Sequence, residues 1–583
     1  MTNKNTWGGF TRTALYAAVA VVAAAPAFAQ NTTGAISGRV VDGAGKPVAG
    51  AAVVITYTES KSVSTTSTDA EGRYTARGLR VGGPYTVSIG KDGKTDQRDA
   101  VFVTLGETLS LDAQLGVTTA TVVVTGQAAS QTFNRSNMGA GTNVSNAQLN
   151  ALASIQRNLQ DYARTDPRIA QTDKERGSIS AGGQNSRFNS LTIDGVTIND
   201  TFGLEGNNLP TVKQPISIDA VQSVQVNLSN YDVTQKGYTG ANINAVTKSG
   251  TNEFKGSVYY VFRNDSLVGQ RYNRTTDSWA DAPKFKEDTK GFTLGGPIIP
   301  DKLFFFASYE ELKSTRNAPE FGPIGDSKTN VPITTAEISA AAASANSAYK
   351  ITAGSFDPAG SQLEVKDMLL KLDWTINDYH RANLRYTKTE QTEPIYPNIS
   401  ANQLSLDSNW FKQGKSIETV VGQWFADWTP ALSTEAKLSY RDYKSTPVNN
   451  ANLPQIGFNY TGLSPTGPGT RNASLLFGTE RSRHFNDLAT KTSDAYLAGT
   501  WALGAHEIKG GVDFSRNEIY NAFVQDTKGN YVFRCLDSSA ARSYSFGAIN
   551  CATASAAEVA KALLENFERG RPASYQVQVP ATG

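Results

Sequence analysis

From Lys255 to Asn264 the side chains alternate without a break between two kinds. Phe254, Gly256, Val258, Tyr260 and Phe262 fall on one side of an extended backbone; Lys255, Ser257, Tyr259, Val261 and Arg263 fall on the other. Alternation at a period of two signals a β-strand with two different faces. The pattern recurs down the chain. Met368, Leu370, Leu372 and Trp374 alternate with Asp367, Leu369, Lys371 and Asp373, and Ala382, Leu384 and Tyr386 alternate with Arg381, Asn383, Arg385 and Thr387. Val420, Gly422, Trp424, Ala426 and Trp428 share a face, as do Ala436, Leu438 and Tyr440. So do Ala495, Leu497, Gly499 and Trp501, then Ile508, Gly510, Val512 and Phe514, with Lys437, Arg441, Lys509 and Asp513 on the opposite faces.

A soluble sandwich also alternates in this way, but two features point to lipid. Trp374, Tyr386, Trp428, Tyr440 and Trp501 stand at the ends of the apolar stripes, where membrane barrels carry aromatic girdles. The connections also alternate in length. "INDYHR" and "TPALST" are tight turns, whereas Ser314 to Ser361 and Lys444 to Arg483 are long and polar, the layout of short periplasmic turns and long extracellular loops. A mean hydropathy of −0.35 does not oppose this, because membrane strands show one apolar face at a time.

The first residues set the compartment. Lys4 and Arg12 precede "ALYAAVAVVAAAPAFA", a signal-peptide pattern that predicts cleavage after Ala29 and an exported mature chain. Lys+Arg 55 against Asp+Glu 53 leaves no basic excess for nucleic acid. In an exported chain Cys535 and Cys551 are expected to form a loop disulfide rather than a metal site. His380, His484 and His506 are isolated in sequence, and there is no G-x-S-x-G elbow or phosphate loop. No metal, cofactor or enzymatic activity is therefore expected.

Three regions precede or carry this pattern. Residues 30–116 hold short β-branched runs between Asp-Gly, Gly-Lys-Pro and Glu-Gly turns, which predicts a β-sandwich. Residues 117–144 form a polar linker in which Thr121, Val122, Val123, Val124 and Thr125 are β-competent. That run reads equally as an edge strand of the sandwich or as a segment left for a partner to pair with. In residues 145–252, Ser145 can cap a helix carrying Leu149, Leu152, Ile155, Leu159 and Tyr162 to Arg164, followed by strands in "FNSLTIDGV", "AVQSVQVNL" and "GANINAVTKSG". This is a mixed α/β unit of roughly a hundred residues. Two Ala-rich stretches, "TTAEISAAAASANSAYK" and "TASAAEVAKALLENFERG", are helix-capable and expected to pack within their own loops.

The pattern of Gly38, Asp42, Gly45, Pro47, Val48, Gly50, Ala51, Asp69, Gly72 and Tyr74 resembles the carboxypeptidase regulatory-like domain. That resemblance implies a prealbumin-like, carbohydrate-binding-like fold with no peptidase chemistry, as spacer or as ligand binder. "ISAGGQNSRFNSLTIDGVTIND", "QPISIDAVQSVQVNLSNYDVTQKGYTGANINAVTKSGTNEFKGSVYYVFRND" and "LGGPIIPDKLFFFASYE" resemble the plug and first barrel strands of TonB-dependent receptors, most closely the Oar-like branch.

The resemblance implies a mainly β chain. A plug domain would occupy 145–252, and the first strands of an outer-membrane antiparallel barrel with long extracellular loops would occupy 253–583. It also places a TonB box at Thr121 to Thr125. About nine strands are countable against about 22 in plugged transporters, and the terminal aromatic strand is not found. The chain is therefore expected to be the N-terminal part of a longer receptor with an incomplete barrel.

The implied function is energy-coupled uptake of a bulky ligand across the outer membrane of a Gram-negative bacterium, with residues 30–116 in the periplasm. The implied partners are the inner-membrane TonB complex, outer-membrane lipid and an extracellular ligand; siderophore, oligosaccharide, peptide and protein are all open. Its contacts are expected at Asn199, Asp200, Phe202, Leu204, Asn207 and Asn208, with Gln184, Asn185, Arg187 and Asn189 as the second set. Gly195, Gly240 and Gly250 are expected to serve turns. The competing function is an adhesin or a component that handles secreted proteins without transport.

Overall fold

A computed structural model describes residues 32–116, 139–173, 177–203, 205–274, 277–282, 284–315, 319–326, 328–357, 361–504, 506–538 and 543–579. The leader, the run Thr121 to Thr125 and Leu204 lie outside the described residues.

The alternating segments join into one antiparallel sheet of nine strands, each paired with the next in chain order. The strands are Lys255–Asn264, Lys286–Ile299, Leu303–Ser314, Leu363–Asn377, His380–Ile395, Phe411–Asp427, Leu432–Asn449, Phe485–Leu503 and His506–Val524. Among the described residues, the first and last strands each have one neighbour in this sheet. No helix among the described residues is long and apolar enough to cross a membrane.

The faces of this sheet are inverted relative to a water-soluble protein. Leu370, Leu384, Leu438, Leu497 and Phe514 are exposed, while Lys371, Arg385, Lys437 and Arg441 are buried. Charged side chains are almost never fully buried unless paired, so the inner face must be covered by a polar partner. Register orders the outer face into rows. Trp374, Ala382, Trp424, Ala436 and Leu497 form one; Leu372, Leu384, Gly422, Leu438 and Ala495 the next; Leu370, Tyr386, Val420 and Tyr440 the third. The row beyond is Met368, Lys388, Glu418 and Asp442, and there Lys388 pairs with Glu418 at 3.1 Å. At the tight-turn end His380, Trp424 and Trp428 cluster, with the two indoles 5.7 Å apart. Val420 to Trp428 rises roughly 27 Å along its strand, or about 20 Å along the membrane normal at barrel-like tilt.

Against the charged face sits the mixed unit. Its five-stranded sheet runs in the order Val196–Thr197, Ser190–Ile193, Asn242–Thr247, Val221–Asn230, Gly139–Ser145, with one parallel pair between Ser190–Ile193 and Asn242–Thr247. The core gathers Val144, Leu149, Leu159, Tyr162, Ile193, Val224 and Ile243, joined by Phe306 and Leu369 from the large sheet.

The expected single helix is two short ones, Asn146–Ala151 and Leu159–Ala163. Leu152 is extended and Arg157 has φ 51°. Asp161 Oδ2 accepts from Ser154 Oγ at 2.7 Å, and Asn158 Oδ1 accepts from Asp161 N at 2.9 Å. Such side chains offer the backbone an alternative to helix. Leu149, Leu159 and Tyr162 remain buried, whereas Leu152 and Ile155 are exposed.

The N-terminal residues form two four-stranded sheets around Ile36, Val40, Val53, Ile55, Val87 and Ile89. On the opposite, long-connection side, the segments read as polar loops fold into a lobe with its own core. Its sheet takes Gln403–Ser405, Ala473–Phe477, Gln455–Tyr460, Asn530–Arg534 and Ser574–Gln576 in that order. Leu404, Phe458, Leu475, Phe477, Leu563 and Phe567 fill its interior. Helices Thr335–Tyr349 and Ala556–Glu568 start at capping boxes, Thr334 with Glu337 and Ser555 with Glu558. They meet through Tyr349 Oη, which donates to Phe567 O at 2.8 Å. Cys535 and Cys551 are disulfide-bonded beside this lobe, with Cα atoms 5.8 Å apart.

Candidate functional site

Apart from Phe306 and Leu369, which join the core of the mixed unit, the interface between that unit and the charged face is built mainly from polar groups. Asp194 and Gly195 form the turn after Ser190–Ile193, both at positive φ, the backbone of a tight hairpin turn. The turn carries the Asp194 carboxylate to Arg385 Nη1 at 2.7 Å; Arg385 is 1% exposed. Thr247 donates to the same carboxylate from its N–H and its hydroxyl, both at 2.8 Å. Lys371 Nζ donates to Thr247 Oγ1 at 3.1 Å. Burial alone would raise the Asp194 pKa; the charges of Lys371 and Arg385 and the bonds from Thr247 outweigh it and hold it below the ordinary carboxylate range.

Further contacts follow the same pattern. Arg441 Nη1 donates to Thr197 O at 2.7 Å, Tyr443 Oη to Pro210 O at 3.1 Å, and Val212 N to Gln391 Oε1 at 3.0 Å. Lys415 pairs with Glu205 at 2.5 Å and Lys509 with Asp232 at 3.2 Å. Glu310 accepts from Ser217 at 2.9 Å and Tyr259 at 2.7 Å, and lies 3.3 Å from Arg157. Where the chain leaves the mixed unit, a Cβ on Gly250 would lie 2.3 Å from Phe305 O, so only glycine fits between the two sheets. The lattice residues of the sheet were visible in sequence only as the charged half of each alternation. Their partners were not.

The two loops expected to meet a ligand come together on the long-connection side. The point a Cβ on Gly203 would occupy is 3.9 Å from Arg187 Cδ and 3.7 Å from Asn208 Oδ1. Their amides divide into two groups. Asn189 bonds Ile179 O and Ala241 N, Asn207 bonds Gly177 O and Ile179 N, and Asn199 bonds Leu191 N and Ser190 Oγ. Asp200 is buried and accepts from Phe202 N at 3.2 Å, and Asn208 Nδ2 reaches Asn189 O at 3.5 Å. Gln184, Asn185, Arg187 and Phe202 have exposed side chains.

At the tight-turn end the sandwich is docked. Glu59 pairs with Lys255 at 2.7 Å, Arg80 lies 3.6 Å from Asp373, and Arg77 pairs with Glu507. Gln225 Nε2 donates to Leu105 O at 3.0 Å, and Val81, Leu105 and Val246 share an apolar cluster.

Comparison with known proteins identifies two domains in the chain. Residues 246–582 match the outer membrane beta barrel domain, and residues 35–116 match the carboxypeptidase regulatory-like domain. The chain is 30% identical over 311 residues to the TonB-dependent transporter Oar of Myxococcus xanthus, a match covering 51% of this chain and 28% of that protein. The chain thus spans under a third of this relative's length. Among solved structures, the outer membrane transporter YddB from Escherichia coli is similar at 14% identity and a TM-score of 0.46, covering 67% of this chain and 50% of that one. The siderophore receptor PirA from Acinetobacter baumannii is similar at 15% identity and a TM-score of 0.41, covering 66% and 48%. The chain belongs to the outer membrane β-barrel domain family, carries a carboxypeptidase regulatory-like domain ahead of it, and resides in the outer membrane of a Gram-negative bacterium.

Proposed function

We propose that the chain is the N-terminal portion of a TonB-dependent outer-membrane transporter. In this reading the mixed unit, residues 145–252 with the strand Gly139–Ser145 that completes its sheet, is a plug, the nine-stranded sheet is part of the barrel wall around it, and the sandwich is periplasmic. The observation that carries the reading is the polar lattice between unit and sheet. Ion pairs and hydrogen bonds such as Asp194–Arg385 and Lys415–Glu205 can be exchanged for water, whereas an apolar interface would resist hydration. A unit held this way can be pulled or rearranged without exposing a large apolar surface.

The wall is proposed to continue. Nine antiparallel strands leave the first and last running the same way, so all-antiparallel closure takes an odd number of further strands.

The outer membrane holds no sustained gradient, so work must come from the inner membrane, where one charge crossing 100 mV is worth about 2.3 kcal/mol. The inner-membrane TonB complex would deliver it by pairing with Thr121 to Thr125 as an added strand. Ligand contact is proposed at the exposed members of the two loops, Phe202, Gln184, Asn185 and Arg187. The sequence resemblance and the match to a TonB-dependent transporter support this reading.

Proline cannot donate to a strand ladder. Val123→Pro is therefore expected to abolish uptake while ligand binding to whole cells is retained. Uptake at the wild-type rate would remove the TonB-box assignment.

A further inference from the structure

A cavity of about 1000 Å³ lies where the sandwich, the mixed unit and the large sheet meet at the tight-turn end. Each part brings a cation to it: Arg80 from the sandwich, Lys248 from the mixed unit, Lys371 and Arg381 from the sheet. The carboxylates nearby are mostly committed. Asp194 takes Arg385 at 2.7 Å, Asp427 takes Arg381 at 3.2 Å, and Glu59 takes Lys255 at 2.7 Å. Asp373 is shared between two cations, Arg80 at 3.6 Å and Lys371 at 3.8 Å. Lys248 has no carboxylate within 4.0 Å among the described residues. Positive charge is therefore in excess around a partly open cavity.

Buried charge is stable only when compensated. Burial lowers the Lys248 pKa, against the opposing charge of Asp219; a bound anion would restore it. The apolar part of the lining pairs aromatic rings, Tyr57 and Phe102 from the sandwich and Phe306 and Phe425 from the sheet, with aliphatic side chains such as Leu79 and Val246. Phe102 keeps 48% of its surface exposed at this junction.

We propose that the junction is a binding site for an organic anion with an aromatic body, its charge received by Lys248, Arg80 and Lys371 and its ring by Tyr57 and Phe102. The sandwich then completes a site rather than serving only as a spacer. The inference stands apart from transport, since binding is read directly.

The test uses the whole chain in lipid nanodiscs and naphthalene disulfonate, a dianion too polar to partition into lipid, titrated by calorimetry. Saturable binding is expected, with Kd raised about fivefold or more by Lys248→Gln and by Arg80→Gln. Arg80→Lys should retain most of the affinity, and Lys46→Gln, exposed on the sandwich and away from the cavity, should change nothing. Neutral naphthalenediol should bind at least about tenfold more weakly. Because Arg80 also holds the sandwich on the sheet, Lys248→Gln is the deciding variant. Wild-type affinity in Lys248→Gln, or no saturable binding by the wild-type chain, overturns the proposal.

Discussion

Leu438 lies within the outer apolar band, between Gly422 and Ala495 and one row from the Trp424 midpoint, and 67% of its surface is exposed. If that face met water, Leu438→Arg would be a surface substitution worth no more than about 0.5 kcal/mol in either direction. If it meets hydrocarbon, arginine costs about 2–4 kcal/mol at the bilayer midplane and about 0–1 near the interfaces. The midpoint of the band from Val420 to Trp428 is the Trp424 row, and Leu438 lies one row from it toward Tyr440 and the charged row beyond, so the expected loss falls between the midplane and interface values, about 2 kcal/mol. The measurement is urea unfolding of the protein reconstituted in vesicles, wild type against variant, followed by tryptophan fluorescence. A change within about 0.5 kcal/mol would refute the lipid-facing reading of the outer face and the membrane argument built on it.

The other expectations concern the inner lattice and the outer lobe. Arg385→Met takes the ion pair from buried Asp194, leaving it Thr247 and the more distant Lys371, and should destabilise the mixed unit by about 3 kcal/mol, with Arg385→Met/Asp194→Asn recovering most of it. A guanidinium titration read from a dye on Arg187→Cys measures both, and additive losses would exclude coupling. Asp194 is held below its ordinary 3.8. The stability it contributes is thus complete above the unfolded value and lost as pH falls through the depressed folded one. Acid titration of the same dye should show release of the mixed unit only below that ordinary value, and Asp194→Asn should remove this dependence. Phe567 is buried against Phe458 and Phe533 at 5.0 Å each. Phe567→Ala should cost the lobe about 3–5 kcal/mol and open residues 525–579 to protease while strand Phe485–Leu503 stays protected.

Features that depend on neighbours along the chain are legible in the residues alone. Successive strand residues must point to opposite faces, so Leu438 beside Lys437 already declared one apolar and one charged side. The Ala-rich "TASAAEVAKALLENFERG" was enough for a helix, and Asp194-Gly195 for a turn. What the sequence left open depended on contacts across the chain. Asp194 and Arg385 are 191 residues apart, and no local pattern tells a buried arginine which carboxylate will meet it. Asn189, Asn199 and Asn207 looked like ligand contacts because amides can serve either role, and only packing shows that theirs are bonded within the mixed unit. The connections Ser314 to Ser361 and Lys444 to Arg483 look polar in sequence because the lobe's core draws only a few apolar residues from each of several separate segments. Leu404, Phe458, Leu563 and Phe567 become one interior only once the sheet has brought those segments to the same end. Periodicity is a property of the backbone and is written locally; partner choice is a property of the closed structure, where burying a charge or a ring has to be compensated by whatever the fold brings beside it.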